Sequence, residues 1–473
     1  MAGIPMRGAV PSSDVDFGAI RTEFELVEDF PAAAQAEADA AADRAADGRE
    51  DRRDIEFVTI DPPGSRDLDQ AVHIAADGDG YLVHYAIADV GALVAPGGAL
   101  EAESLRRGQT VYLPDGSVPL HPRSLSEGVG SLLPDEDRAA ALWEIRLDAA
   151  GEVTAASVRR AVVRSRAKLD YAGVQADHDA GRPHPSIALL ADVGRLRQRW
   201  GRAHGAVDLR LPAQEAVRGA DGWELRIEPR TDFDGYNAQI SLLTGVCAAK
   251  IMLDAGVGLL RTLPAAPDDA VADLRRTASA MGQAWPDGAT VGEFLAAVDV
   301  GTPQGLATMS DATRLLRGSG YAAFGTSAAP AAPADPSHAG VGAPYAHVTA
   351  PLRRLADRYA TEVCLAVCAG TEVPAWARDA LDGAAEVMQR TNGVANKIDR
   401  ACIDLTETVI LADRVGETFE AIAMREDQIL VEDPAVIAPC TGGPPEGSRV
   451  TVRLESVDAV SRKVGFVYES ALT

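Results

Sequence analysis

Two apolar runs, IEFVTI (55–60) and LDQAVHI (68–74), are joined by a segment that opens Asp61-Pro62-Pro63-Gly64 and then carries Asp67 and Asp69. Proline has no backbone N–H, so two in succession end a ladder of sheet hydrogen bonds, and the glycine eases the reversal. The chain must therefore come back from the strand it has just left. In extended backbone, residues i and i+2 face the same way, so Asp67 and Asp69 share a face while Leu68 points to the core. The turn can bring Asp61 to that same face. Clustered carboxylates repel one another and are costly to bury together. A hard cation resolves the repulsion, and magnesium prefers oxygen ligands. Such a cluster suits phosphodiester hydrolysis, in which metal ions activate water and neutralise phosphate. Aspartates also gather in turns for local hydrogen bonding, and at this point that alternative stays open. The D-x-[DN]-x-[DN]-G spacing of a calcium loop is absent.

The rest of the chain reads as strands first and helices later. GYLVHYAIADV (80–90) alternates like a strand, and ALWEIRLDAAGEVTAASVRRAVVRS (141–165) predicts a hairpin with its turn at Ala-Ala-Gly. From SIALLADVGRLRQRWGRA onward the apolar spacing is helical, ending in a long stretch from about Trp376 to Asp413. This predicts an α+β protein with a large mixed domain over 54–411, its mainly antiparallel sheet packed by helices. The last segment, 412–473, has several short strands with tight turns and predicts a small OB-type β-barrel of the kind that binds single-stranded nucleic acid. Residues 1–53 are an Ala-rich acidic arm with no periodic core pattern, expected as one solvated helix or a disordered strip. Gly325–Pro344, rich in small residues and proline, is expected as a surface connection, with a functional flap as the alternative.

Composition restrains the function. The formal net charge is −25, from 45 Lys and Arg against 70 Asp and Glu, so any grip on a polyanion must come from local cations or metal ions. Arg195, Arg199 and Arg202 share one helix face, for which a solvated surface is the preferred reading. The five cysteines contain no CxxC pair, and no disulfide-linked partner is expected; Cys364 and Cys368 read as buried small apolar residues. No membrane span is expected, because no apolar run approaches the roughly 18 residues required. The first residues carry no hydrophobic signal core, so a cytoplasmic location is expected.

The segment VTIDPPGSRDLDQAV (58–72) resembles the signature of the ribonuclease II family, whose catalytic domain opens with a strand and four acidic residues. Asp61, Asp67 and Asp69 match the first three; the fourth position is Gln70, which offers a metal a carbonyl oxygen but no charge. The resemblance runs in the family's order from about Asp54 to Leu411. Asp89 follows the next strand, Tyr112 falls on an aromatic clamp, and Lys168 and Tyr171 also match. YAHVTAPLRRLAD (345–357) is similar to YAHFTSPIRRYxD, with Arg353 on the arginine that holds RNA phosphate near the metals. His347, Thr349 and Arg354 match as RNA-binding positions, whereas Ala350 and Leu355 depart from the usual Ser and Tyr. Asp399 replaces a substrate-positioning glutamate. Asp208 stands where a second stacking aromatic is usual, and Ala238-Gln239 where a paired glutamate is usual.

What the resemblance implies is a 3′–5′ exoribonuclease that shortens single-stranded RNA to nucleoside 5′-monophosphates. Asp67, Asp69 and Arg353 are its expected catalytic residues. Asp61, Asp67, Asp69 and Gln70 are the expected ligands of Mg2+, with Mn2+ as the alternative ion. Tyr112, His347, Thr349, Arg354 and Asp399 are the expected RNA contacts, and a monomer is the expected state. Residues 1–53 are too short for the two cold-shock-type barrels that usually precede the family's catalytic domain, so a trimmed member is implied. A non-catalytic RNA-binding protein on the same fold is the alternative reading.

Overall fold

The apolar runs on either side of the Pro-Pro-Gly turn become neighbouring antiparallel strands. The computed structural model describes residues 7–8, 15–211, 214–219, 222–227 and 231–472. The N-terminal part holds β1 (Arg7–Gly8), α1 (Gly18–Glu23), α2 (Ala32–Asp39) and β2 (Glu50–Asp51). There follow β3 (Phe57–Ile60), β4 (Gln70–Asp77), β5 (Gly80–Ala88), a hairpin of β6 (Val111–Leu113) and β7 (Gly116–Val118), then β8 (Asp137–Leu147) and β9 (Val153–Leu169). The main sheet has the order β2-β9-β3-β4-β5-β8. Its pairs are antiparallel except that β2 and β3 run parallel to β9. β9 is 17 residues long; its first part pairs with β8 and its last with β3, so the sheet curls back on itself.

Strand alternation sorts side chains to two cores. Val83, Tyr85, Ile87, Trp143 and Ile145 pack on the helical side, while Ala86, Ala140 and Leu142 meet Ile55, Phe57 and Leu68 on the other. Between strands lie α3 (Val90–Leu93) and α4 (Ala99–Arg107), and after β9 come α5 (Tyr171–Asp179) and α6 (Leu190–Ala203). β10 (Gln214–Arg218) and β11 (Trp223–Ile227) form a hairpin whose second strand pairs with β1.

α7 (Asp232–Ala255) starts at a capping box of Thr231 and Asp234 and stops at Gly256, which adopts left-handed φ +71°. Contrary to the sequence expectation, α7 is long and apolar enough by composition to cross a bilayer. Here its Ile240, Leu243, Cys247 and Met252 are buried in the helical-side core, beside residues of α6 and of the later helix over 355–368. β12 (Gly258–Thr262) pairs with β13 (Gly320–Phe324), and between them run α8 (Asp268–Ala280), α9 (Val291–Ala297) and α10 (Pro303–Ala312). The small-residue stretch 325–344 ends in a hairpin of β14 (Ser337–His338) and β15 (Ala343–Pro344), with Val341 buried.

α11 (Leu355–Cys368) is buried along most of its length, and its last residue is exposed, so Cys364 is buried as expected whereas Cys368 is not. α12 (Ala375–Leu411) spans 37 residues and connects the body to a closed barrel ordered β16-β17-β18-β20-β19. Those strands are β16 (Thr418–Arg425), β17 (Gln428–Val431), β18 (Val436–Thr441), β19 (Arg449–Asp458) and β20 (Lys463–Ala471). The barrel has its own core of Phe419, Val436, Val450, Leu454 and Phe466. The α+β architecture with a terminal OB-type barrel is as expected.

The acidic arm differs from expectation: from residue 15 onward it is docked. Phe17 and Ile20 are buried with Trp223 and Ile398, and Ala34 and Ala38 pack under Leu93, Leu100 and Leu125. The Arg49 side chain is wholly buried between Asp43 and Asp89, at 2.5 and 2.8 Å. Alanines that fill tight grooves give little hydrophobic amplitude, so a periodicity argument passes over them.

Candidate active site

β3 delivers Asp61 at its end, where the Asp61 N–H donates to the Leu169 carbonyl of β9 at 3.0 Å. After the turn, the Leu68 N–H donates to Ser131 Oγ at 3.0 Å and the Leu68 side chain is sealed in the core. That anchor turns Asp67 and Asp69 away from the Leu68 side. Asp69 is buried, and its Oδ1 accepts the Leu352 N–H at 2.7 Å. Arg353 Nε stands 3.5 Å from Asp69 Oδ2, with the Arg353 side chain 48% exposed. A loop remote in sequence is thus fastened beside the acidic turn by a backbone hydrogen bond, and its guanidinium faces outward.

The electrostatics place these charges together. Burial pushes Asp61 up to about 6 and Asp69 up to about 8. Asp67 pushes both in the same direction, and the Arg353 guanidinium opposes it at both. Lys168 also favours the Asp61 anion while its Nζ donates to the Ser65 carbonyl at 2.7 Å. Among the described residues Asp61 Oδ2 is buried without a hydrogen bond of good geometry, although the nearby Thr59 hydroxyl favours the Asp61 anion.

Among the described residues, no three His, Cys, Asp or Glu side chains form a ready-made metal cage. Magnesium, however, typically takes one or two protein carboxylates and completes its shell with water and substrate phosphate. A buried carboxylate oxygen on Asp61 that lacks a well-formed hydrogen bond, beside two more carboxylates, fits that mode of binding.

Tyr112 stands on the β6–β7 hairpin, 52% exposed, with its hydroxyl 3.5 Å from Asp67 Oδ2. The hairpin is tied to the same loop, because the Thr110 N–H donates to the Arg353 carbonyl at 2.9 Å. Asp61, Asp67, Asp69, Arg353 and Tyr112 are therefore brought together.

The other expected residues stand differently. Gln70, expected as a ligand, has its amide taken up by protein: Nε2 donates to the Thr349 carbonyl at 2.7 Å, and Oε1 accepts from the Tyr85 hydroxyl, with Ser241 Oγ standing 3.4 Å from the same oxygen. Its oxygen is no free metal ligand here. Thr349 is buried, and its carbonyl is the partner of Gln70. Arg354, expected on RNA, forks onto Asp357 at 2.6 and 2.8 Å. His347 Nδ1 is 2.8 Å from the Tyr321 hydroxyl, between the rings of Tyr321 and Tyr345; burial first, then Arg354 and Arg261, holds it well below the usual imidazole range. Asp399 is exposed on α12 and has no described contact with the carboxylates.

Three residues escaped sequence reasoning. Tyr85 and Ser241 hold Gln70. Asp357, fully buried, accepts the Ala350 N–H at 2.7 Å as well as the Arg354 fork, and so pins the start of α11 to the Arg353 loop. An acid three residues beyond an arginine at a helix start was a visible signal for Asp357. Nothing local marks a tyrosine inside a strand or a serine inside a helix as partners.

The comparisons with known proteins bear on this arrangement. The RNB domain matches residues 49–368, and the RNase II-type exonuclease C-terminal S1 domain matches residues 417–469. Ribonuclease R of Chlamydia trachomatis is 30% identical over 221 residues, covering 45% of this chain and 32% of that protein's length. The chain thus spans well under two thirds of that relative. Among solved structures, the apo form of Mycoplasma genitalium RNase R superposes with a TM-score of 0.84 at 17% identity, over 96% of this chain and 77% of that one. Yeast Ssd1, described as a pseudonuclease, superposes with a TM-score of 0.65 at 14% identity, over 90% of this chain and 54% of that one. With a matched domain that contains the acidic turn, the Arg353 loop and all of α11, the chain belongs to the RNB-domain family of ribonuclease II type.

Proposed function

We propose that this chain is a magnesium-dependent 3′–5′ exoribonuclease that hydrolyses single-stranded RNA to nucleoside 5′-monophosphates, with manganese as the alternative ion. The observation that carries the reading is the half-exposed Arg353 guanidinium set 3.5 Å from the buried carboxylate of Asp69. Family membership supports the reaction class and the direction of attack on the chain.

Each residue has a physical task. Tyr112 offers an exposed ring to a base near the RNA 3′ end, since stacking tolerates any base. Arg353 donates to the non-bridging oxygens of the scissile phosphate; guanidinium is permanently charged and matches phosphate with paired donors. Asp61, Asp67 and Asp69 would supply the one or two carboxylates that hold the divalent ion, with Asp61 offering its buried Oδ2. That ion, when bound, supplies Lewis acidity to the phosphate and lowers the pKa of water. Gln70 keeps the Arg353 loop against the acidic turn, and Asp357 pins that loop to the start of α11.

The second reading is a non-catalytic RNA-binding protein, favoured by the neutral Gln70 and by the engagement of its amide within the protein. Incubation of pure protein with 5′-labelled poly(A), with magnesium or with EDTA, separates the two. The expected result is stepwise 3′ shortening that EDTA abolishes. Tight RNA binding without magnesium-dependent shortening would establish the second reading instead.

A further inference from the structure

Asp69 and Gln70 are consecutive, and both hold the same remote loop. Asp69 Oδ1 accepts the Leu352 N–H, and Gln70 Nε2 donates to the Thr349 carbonyl, each at 2.7 Å. Arg353 follows directly. The direction of the Gln70 amide is dictated by its neighbours. A carbonyl can only accept, so the end of Gln70 that faces Thr349 must be the NH2. The other end is then a carbonyl oxygen in a buried setting and needs donors. Tyr85, only 1% exposed, supplies its hydroxyl proton to it. Having spent that proton, the Tyr85 oxygen accepts from Ser241 Oγ at 2.8 Å. Burial drives the Tyr85 phenol upward, so it stays protonated and keeps donating.

The geometry points to a neutral latch, Ser241–Tyr85–Gln70–Thr349, in which Tyr85 and Ser241 are positioning residues that set the Arg353 loop against the acidic turn. It joins α7 to β5, β5 to β4, and β4 to the loop without using a charge. It also reverses what the departure at position 70 suggests by itself. An aspartate there is one methylene shorter than glutamine, and when ionised it has no proton to give Thr349, so it cannot span from the Tyr85 hydroxyl to the Thr349 carbonyl as the amide does. Restoring an acid at position 70 therefore breaks the latch, so Gln70→Asp slows the reaction.

This inference rests on the proposed nuclease reading, and its test keeps the two apart. Steady-state cleavage of 5′-labelled RNA is measured for Tyr85→Phe, Ser241→Ala and Gln70→Asp, each alone and with Arg353→Ala. Tyr85→Phe is expected to lower kcat about tenfold with KM unchanged within twofold, the scale of one lost buried hydrogen bond acting on the transition state. In the Arg353→Ala background the same change is expected to add less than about twofold, because the latch acts through that guanidinium. An equal loss in both backgrounds, a rise in KM alone, or faster cleavage by Gln70→Asp overturns the latch. Where Tyr85→Phe does not fold, Ser241→Ala provides the same comparison. Should the wild-type chain prove inactive, amide hydrogen exchange of residues 345–354 still reads the latch. Faster exchange in Tyr85→Phe and Ser241→Ala supports it, and unchanged exchange refutes it.

Discussion

Arg353 and Asp69 form a half-made ion pair: Nε to Oδ2 is 3.5 Å, the arginine side chain is 48% exposed, and the aspartate side chain is 5% exposed. Because the separation is long, burial outweighs attraction at Asp69, which sits at about 8 despite the nearby cation. The guanidinium keeps donors free toward solvent. An arginine committed inward looks different, as Arg354 does on Asp357.

Asp69→Asn separates chemistry from architecture. Asparagine retains an oxygen that can accept the Leu352 N–H, so the loop stays fastened. It also removes a carboxylate whose burial is unfavourable, so stability should stay within about 1 kcal/mol of wild type or rise. RNA affinity should hold within a few-fold, while turnover should fall by roughly a hundredfold or more, as for loss of a charge-stabilising group. Urea melts, filter binding and cleavage assays check the three quantities. Unchanged turnover would mean that the metal site lies elsewhere.

Magnesium should stabilise the fold in a pH-dependent way. Burial raises Asp61 to about 6 and Asp69 to about 8, so a proton competes with the cation at lower pH. Without metal, each raised acid stabilises the fold at low pH and weakens it as pH climbs from the unfolded value of about 4 through the folded one. Added magnesium should therefore raise Tm clearly at pH 8 and little at pH 5.5. Differential scanning fluorimetry with and without EDTA reads both; a magnesium shift independent of pH counts against these carboxylates as ligands.

Much of this site was legible because its chemistry is concentrated in two short segments. The Pro-Pro-Gly turn dictates a reversal, the i, i+2 rule pairs Asp67 with Asp69, and two successive arginines stand out beside them. The role of Gln70 was not legible, since an amide at that position is equally compatible with a ligand and a latch. Only the tertiary fold brings Tyr85 and Ser241, 156 positions apart, to its oxygen. The docking of residues 15–53 was hidden for another reason. Alanine at 34 and 38 is chosen for smallness under Leu93 and Leu100, and the burial of Arg49 depends on Asp89, which is 40 positions away.

Glu407 predicts where the barrel meets the body. It is 2% exposed near the end of α12, and its Oε1 accepts from Gln214 Nε2 at 3.0 Å while that same nitrogen donates to the Ala435 carbonyl at 2.9 Å. Burial raises Glu407 to about 7. The folded state therefore holds a proton that the unfolded chain releases near pH 4, and stability falls as pH rises from there through 7. Glu407→Gln should remove this slope, so that relative to wild type it gains on the order of 2–3 kcal/mol between pH 5 and pH 8. Urea midpoints at both pH values test it, and a parallel pH slope in the variant would place the titration elsewhere.

Tyr112 should matter to RNA and hardly at all to folding. Its ring is 52% exposed, so Tyr112→Ala removes little buried surface, and the hairpin remains held by Thr110 and Gln109, whose Nε2 donates to the Thr391 carbonyl at 2.9 Å. Loss of one stacking platform costs about 1–3 kcal/mol of binding, or roughly five- to a hundredfold in Kd. Tyr112→Phe keeps the ring and loses only a 3.5 Å contact with Asp67, so it should bind RNA like wild type. Fluorescence anisotropy with a short oligoadenylate in EDTA measures affinity without cleavage. If Tyr112→Phe weakens binding as much as Tyr112→Ala, the hydroxyl rather than the ring is what RNA meets, and the stacking role falls.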